Sequence, residues 1–310
     1  MQSYSKFFKN YGIIFVTIAL FLVLALTTDG FLSVRNMRNI LDQQSTVLIA
    51  ACFMTMTIIA GNFDVSSAAV YVAAPLVALV VENTTGSIPL ALLAGLFTGV
   101  AMGIFNGFVV TRLGVNSFIA TLASSFMFFG VGYLVSNRSI LRPETAEWRF
   151  IARTRVFELT TSTWFAIIVV LFAIILLHRT RFGRNVYACG ANREAARLAG
   201  VNVNRIQMQT FVMLAVASAF AGILTASRTI SAQPSDDFSF VFAVLTAVIV
   251  GGTSIAGGQG AIWRTVAAVF FLAFLTNGFN LHQIDPIWQR LIEGFVILLA
   301  VSIDSWTQKR

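Results

Sequence analysis

The sequence predicts an all-α integral membrane protein of about ten transmembrane helices, with one short polar helix on its cytoplasmic side. Three observations carry this. Of 310 residues, 57% are hydrophobic and 11% charged, against about a quarter charged in soluble domains, and mean hydropathy is +0.82. Apolar runs long enough to cross ~30 Å of hydrocarbon recur along the chain. Basic residues gather between those runs, six arginines falling from Arg179 to Arg205. The net charge of +8 therefore speaks of orientation in a membrane, with lipid as partner, rather than of nucleic acid.

Lys6 and Lys9 precede an apolar segment at about 11–28. No small-residue cleavage site follows and further spans do, so it reads as the first membrane helix with a cytoplasmic N-terminus. Residues 31–42 are amphipathic and read as an interfacial piece. The second span covers about 44–61 and the third about 65–81, with Gly61-Asn-Phe-Asp64-Val-Ser-Ser67 breaking the apolar run between them. Pro89 opens the fourth span at about 89–111, which holds Gly95, Gly99, Gly103 and Gly107 in i, i+4 register. These glycines make a smooth stripe that lets another helix backbone approach, within this chain or in a second subunit.

The fifth span runs about 115–136, and residues 137–160 form a polar loop with five arginines and three glutamates. The sixth, about 161–178, leads into the basic segment, and the seventh covers about 206–228. An eighth at about 239–250 is short and needs the glycine-rich 251–260 stretch as an irregular continuation. Such backbone is tolerated at membrane depth only inside protein or along a cavity. Spans at about 261–280 and 287–303 complete the count, with Arg290 and Glu293 spaced to pair on the last. Ten spans place both termini in the cytoplasm. The Lys/Arg split is then 12 inside against 9 outside, and the arginine cluster after the sixth span decides it.

Several chemistries are excluded. Lys6, Lys9 and Lys309 are the only lysines, so the chain has no P-loop, which needs an internal lysine against the phosphates. Cys52 and Cys189 form no disulfide or metal set. No nucleophile–base pair appears, and no cofactor is expected on this chain. A self-powered secondary transporter or channel is the alternative to a subunit driven by a partner. A carrier of that kind places ionisable groups mid-span on several helices, whereas nearly every charge here lies at a segment end or in a loop.

Residues 190–204 are the organising polar stretch. Asn192 can cap a short helix, leaving Glu194 in the first turn, where the helix dipole favours an anion. Glu194 and Arg197 are spaced to pair, and Gly200 is suited to end the helix. Two turns are unstable alone, so the helix must rest against something, and Ala195, Leu198 and the other alanines supply a small apolar side. The stretch reads either as a docking element or as a basic loop that only sets orientation.

Four stretches resemble, in order and over nearly the full chain, the membrane-spanning subunits of bacterial ABC importers for ribose, xylose, galactose and similar small sugars. They are Asn116-Ser-Phe-Ile-Ala-Thr-Leu122, Thr180–Val201, Ser231-Ala-Gln-Pro234 and Gly251–Gly260. The resemblance implies one permease domain over 1–310, with an architecture similar to the cobalamin-importer permease and a place in the bacterial inner membrane. It implies a second permease copy or a homologous permease, a periplasmic substrate-binding protein, and a cytoplasmic ABC ATPase that binds ATP and Mg. Arg193, Glu194, Ala195, Arg197, Leu198 and Gly200 then form the coupling helix.

The sequence departs from the family pattern at Ala68 and Ala69, at Phe240-Val-Phe-Ala243 and at Arg264. Asp64 is either the cap of the third span or, with Asn62 and Ser66, part of the translocation path. Phe240 and Phe242, with Phe238, are candidate dry stoppers of that path if the segment is extended. In a helix, positions two apart diverge by about 200° and share no face.

Overall fold

The computed structural model describes residues 2–292 with residues 294, 295 and 298, and of residues 2–10 the backbone alone. Its helices are α1 (Gln2–Thr27), α2 (Val34–Ile59), α3 (Ser67–Thr85), α4 (Ile88–Thr111), α5 (Ser117–Val135), α6 (Phe150–Arg153) and α7 (Thr161–Arg179). After these come α8 (Arg181–Ala191), α9 (Arg193–Leu198), α10 (Val203–Thr229), α11 (Ser239–Val250) and α12 (Ile262–Leu281). The sheet content is a small antiparallel hairpin, β1 (Arg155–Val156) against β2 (Leu159–Thr160). Helix resumes at residues 286–292, and about half of the expected last span, including Glu293, lies outside the described residues.

Capping side chains set many of these limits. Ser33, Asn116, Thr160, Thr180, Asn192 and Asn202 each accept a backbone N–H from the first turn of the helix that follows. A helix start has four orphan amides, and each cap satisfies at least one. Two expected boundaries shift. Residues 31–42 form no separate interfacial piece, because α2 starts at Val34 and runs unbroken to Ile59. The basic segment is two helices, α8 and α9, hinged at Asn192.

Six helices among the described residues are long and apolar enough to cross a membrane: α3, α4, α5, α7, α10 and α12. The apolar part of α1 and the short α11 stand beside them. The protein is thus an all-α multi-pass membrane protein. α2 is as long as these and yet less apolar, because its partly exposed first turns carry Arg35, Asn36, Arg38, Asn39, Asp42, Gln43 and Gln44 and the rest lies inside the bundle. From Ser45 to Ile59 it is buried almost without interruption. Its hydroxyls meet neighbours rather than lipid: Ser45 Oγ lies 2.6 Å from Ser162 Oγ on α7, and Thr55 Oγ1 lies 2.8 Å from Thr265 Oγ1 on α12. Thr57 Oγ1 donates to the Thr210 carbonyl on α10 at 3.3 Å. Such hydroxyl bonds act as glue between membrane helices.

The glycine stripe of α4 is an intramolecular seam. A Cβ on Gly99 would lie 2.7 Å from Ala219 Cβ, one on Gly103 2.7 Å from Val212 Cα, and one on Gly107 2.3 Å from Met208 Sδ, all on α10. At Gly95 it would meet Ile223 of α10 and the Ala74 carbonyl of α3. The stripe is therefore spent inside the chain. The other face of α4 exposes Leu93, Phe97, Ile104 and Phe108.

The bundle has two distinct ends. One gathers α8, α9, the turn after α2 and the 251–260 stretch. At the other, residues 137–160 fold over the helix ends as ordered structure. The buried carboxylate of Glu82 on α3 accepts from the Glu144 amide at 3.1 Å, and from the Thr145 amide at 2.8 Å and its hydroxyl. Leu141 and Ala232 exchange backbone hydrogen bonds, and Ser227 Oγ bridges the Trp148 carbonyl and the Ala152 amide.

Candidate functional site: a capped polar helix resting on a glycine node

The α9 helix is built as its sequence predicts. Asn192 Oδ1 accepts from the Ala195 amide at 3.0 Å. At the far end, Val201 N–H returns to the Ala196 carbonyl and Gly200 N–H to the Arg197 carbonyl, both at 3.0 Å. Gly200 takes φ of +83°. That pair of bonds around a left-handed glycine is the Schellman arrangement, which satisfies the last carbonyls and turns the chain sharply.

Its surface chemistry differs from expectation in two respects. Glu194 and Arg197 do not pair; among the described residues the ion pair is Arg38–Glu158. Arg193 instead donates to Asn204 Oδ1 at 3.2 Å. The apolar side also splits. Ala196 faces inward at 5% exposure, while Leu198 is 88% exposed. Arg193, Glu194, Arg197, Gly200 and Asn204, with Thr111 from the end of α4, line a cleft of about 630 Å³.

What supports α9 carries no local signal in the sequence. Three glycine-bearing segments meet backbone to backbone beneath it. Gly258 N–H donates to the Ile59 carbonyl at the end of α2, at 2.9 Å. Gly190 in α8 packs on that same carbonyl, and a Cβ there would lie 1.7 Å from the oxygen and 2.5 Å from Gly258 N. Cβ atoms on Gly257 and Gly258 would stand 3.1 Å from Gly61 Cα and 2.8 Å from Ala191 Cα. Tyr187 Oη donates to the Gly260 carbonyl at 2.7 Å, and Gln207 Nε2 to the Ala60 carbonyl at 3.2 Å. The irregular 251–260 backbone thus lies against protein, where its polar groups find partners. The sequence shows only that Gly61, Gly190 and Gly257–Gly258 stand in polar stretches; their meeting is tertiary.

This node continues into the break after α2. There the Phe63 amide donates to Ser117 Oγ at 3.0 Å and the Val65 amide to Thr121 Oγ1 at 3.1 Å, so the Asn116–Leu122 stretch receives the unpaired backbone. Asp64 is 1% exposed. Its Oδ1 accepts from the Ser66 amide at 2.9 Å and the Ser66 hydroxyl at 2.6 Å. Ser66 Oγ in turn accepts from Asn106 Nδ2 of α4 at 2.5 Å. Asp64 thus closes a tight turn ahead of α3, the cap position proper being held by Ser66. Asn62 Nδ2, Asp64 Oδ2 and Asn106 Oδ1 are buried without a partner. Asn106 was not singled out from sequence, since a lone asparagine in an apolar span carries no local signal.

Phe238, Phe240 and Phe242 do not line up. Residues from Ser239 are helical, so the extended arrangement that would align them does not occur. Phe240 stacks on Tyr71 at 3.9 Å and 12°. Phe238 meets Phe126 and Phe129 edge-on, while Phe242 is exposed.

The profile of the family described as branched-chain amino acid transport system / permease component matches residues 36–301. The chain is 35% identical to the L-arabinose transport system permease protein AraH of Escherichia coli (strain K12), over 99% of this chain and 94% of that protein. It is 34% identical to the ribose import permease protein RbsC of the same strain, over 94% of this chain and 93% of that protein. With the galactose/methyl galactoside import permease protein MglC of that strain it shares 31% identity, over 98% and 96% of the two chains. No solved structure matches the chain. With the profile and these relatives spanning nearly all of it, this protein belongs to the family of permease components of the branched-chain amino acid transport type.

Proposed function

We propose that this chain is the membrane-spanning subunit of an ATP-driven importer for a small sugar, a single permease domain over residues 1–310. The observation that carries the reading is the exposed, doubly capped α9 helix resting on the glycine node, on a chain whose similar proteins are named as sugar permeases. A helix that presents Leu198, Arg193, Arg197 and Glu194 outward, beside a cleft, is shaped to dock. Its partner is a cytoplasmic ABC ATPase, which binds the ATP and Mg and performs the hydrolysis. A second permease copy or a homologous permease and a periplasmic substrate-binding protein complete the assembly.

The glycine node gives the docking helix a mechanical route inward. A push on α9 moves α8, whose Gly190 backbone bears directly on the end of α2 and on Gly258. The break at Asn62–Ser66 follows at once. There the buried atoms of Asn62 and Asp64 without partners support a place for these residues, with Ser66, beside the translocation path. Phe240, against Tyr71, belongs to the same path farther out. Phe242 faces away from Tyr71, so its share in the path is that of a helix-surface residue.

Ten spans with both termini in the cytoplasm, in an arrangement like that of the cobalamin importer, fit the nine helices α1–α5, α7 and α10–α12 and the helix resuming at residue 286. Under this orientation the α8–α9 end is cytoplasmic and residues 137–160 are periplasmic, in a bacterial inner membrane. A cysteine placed at Asn192 is then shielded from an impermeant thiol reagent outside spheroplasts, and one at the exposed Ala146 is labelled. Cys52 and Cys189 are replaced beforehand; both are buried, and desolvation pushes the Cys189 thiol pKa up against the pull of Arg193. The opposite labelling pattern would invert the topology. Purification from membranes tests the function itself: an ATPase of unrelated sequence should accompany this chain, and its hydrolysis should rise with ligand-loaded binding protein. A chain that purifies alone and carries solute without ATP would be a secondary transporter or channel instead.

A further inference from the structure

A cavity of about 390 Å³ opens between α3, the last turns of α10 and residues 231–235, at the bundle end opposite α9. Its volume lies within the ~300–1,000 Å³ of small-molecule sites. Its polar lining consists of Tyr71, Thr225, Thr229, Ser231, Gln233 and Ser235, every one of them neutral. Hydroxyls and an amide supply both donors and acceptors. No charged side chain lines the cavity itself, and an apolar solute would leave the hydroxyls unpaired.

Two features of the backbone sharpen the site. Pro75, inside α3, has no N–H to return to the Tyr71 carbonyl four residues back. Gly222 lets α10 come against that carbonyl, since a Cβ there would lie 2.1 Å from the oxygen. The Tyr71 ring is held from both sides, its hydroxyl donating to Thr225 Oγ1 at 2.8 Å and its face stacked on Phe240. The wall is therefore fixed in place and presents a rigid aromatic edge beside a row of hydroxyls.

We propose that this cavity is the outward receiving site for the small sugar of the importer reading. Tyr71, Thr225 and Gln233 are its principal polar contacts, and the Tyr71–Phe240 stack is the wall that must shift for inward passage. The proposal rests on the importer reading and deepens it.

The test uses the whole complex in proteoliposomes, with L-arabinose, ribose and galactose as labelled probes. Uptake per ATP is compared with hydrolysis stimulated by the binding protein. The double variant Thr225→Val/Gln233→Leu should lower uptake per ATP about tenfold or more, the scale of one or two lost hydrogen bonds, with stimulated hydrolysis retained. Uptake by Ser235→Cys should stop when an impermeant bulky maleimide fills the cavity from outside, measured against the same variant before labelling. Normal uptake per ATP in the double variant and in the labelled cysteine variant would overturn the site. So would a parallel loss of uptake and hydrolysis in both, which would assign these residues to assembly. A wild-type complex with no ATP-driven uptake of any probe would overturn the importer reading, and this site with it.

Discussion

Gly190→Ala should remove the assembled, active protein from the membrane. The added methyl would stand 1.7 Å from the Ile59 carbonyl oxygen and 2.5 Å from Gly258 N. Both are backbone atoms joined to each other by a hydrogen bond of 2.9 Å, so neither can step aside as a side-chain tip would. Overpacking of a rigid contact costs about 1–3 kcal/mol even where neighbours relax, and here the only relief is to break that bond and part α8 from α2. The measurement is folded yield and thermal stability in detergent, beside uptake. Two comparisons isolate the cause. Gly12→Ala adds a methyl where no atom lies within 4 Å and should be silent. Gly200→Ala meets open space but strains a left-handed residue, a cost of roughly 1–2 kcal/mol. A Gly190→Ala protein as stable and active as the Gly12 variant would remove the glycine node from the account.

Leu198→Asp should leave the protein folded and uncouple it. Leu198 is 88% exposed, so the chain itself loses nothing by the change. If α9 docks, however, this side chain is the apolar anchor of a small charged helix, and its replacement buries a carboxylate in the contact. Anchors of that kind carry about 2 kcal/mol or more, roughly thirtyfold in affinity. ATPase association and stimulated hydrolysis should fall by that order while membrane abundance stays constant. Glu194→Arg, on the same face and unpaired here, should act in the same direction through charge. Undiminished stimulation in both variants would leave α9 as an orientation loop and nothing more.

The sequence carried the helices well, since hydropathy and capping residues are local. Asn116, Thr160, Asn192 and Asn202 each cap the helix that follows them. The Schellman end at Gly200 was equally legible, because a glycine two residues past Leu198 closes a helix by backbone bonds alone. What escaped was everything set by distant segments. Spacing permits Glu194 and Arg197 to pair, yet Arg193 finds Asn204 and the other two stay apart, since exposed pairs gain little. Nothing local to Gly61, Gly190 or Gly258 says that they meet. The stripe of α4 announced close packing but not its partner, which proved to be α10. The phenylalanines near 240 suggested an alternating face only as long as the backbone was left open; the helix keeps Phe238 beside Phe242 and turns Phe240 away onto Tyr71.

The burial of α2 bears on how the protein is made. A segment leaving the ribosome enters the bilayer on its own only if its side chains prefer lipid to water, and serines and threonines in the middle of a span weaken that preference. Ser45, Thr55 and Thr57 settle on α7, α12 and α10, all synthesised later. A nascent chain that has reached only α3 therefore holds a helix whose hydroxyls have only its own Asp42, Ala51 and Phe53 carbonyls to bond. It must be kept beside the insertion machinery, or shielded by α1 and α3, until the rest emerges. Co-translational quality control would act on this interval, and lesions in α10 or α12 would be felt first as failure to retain α2.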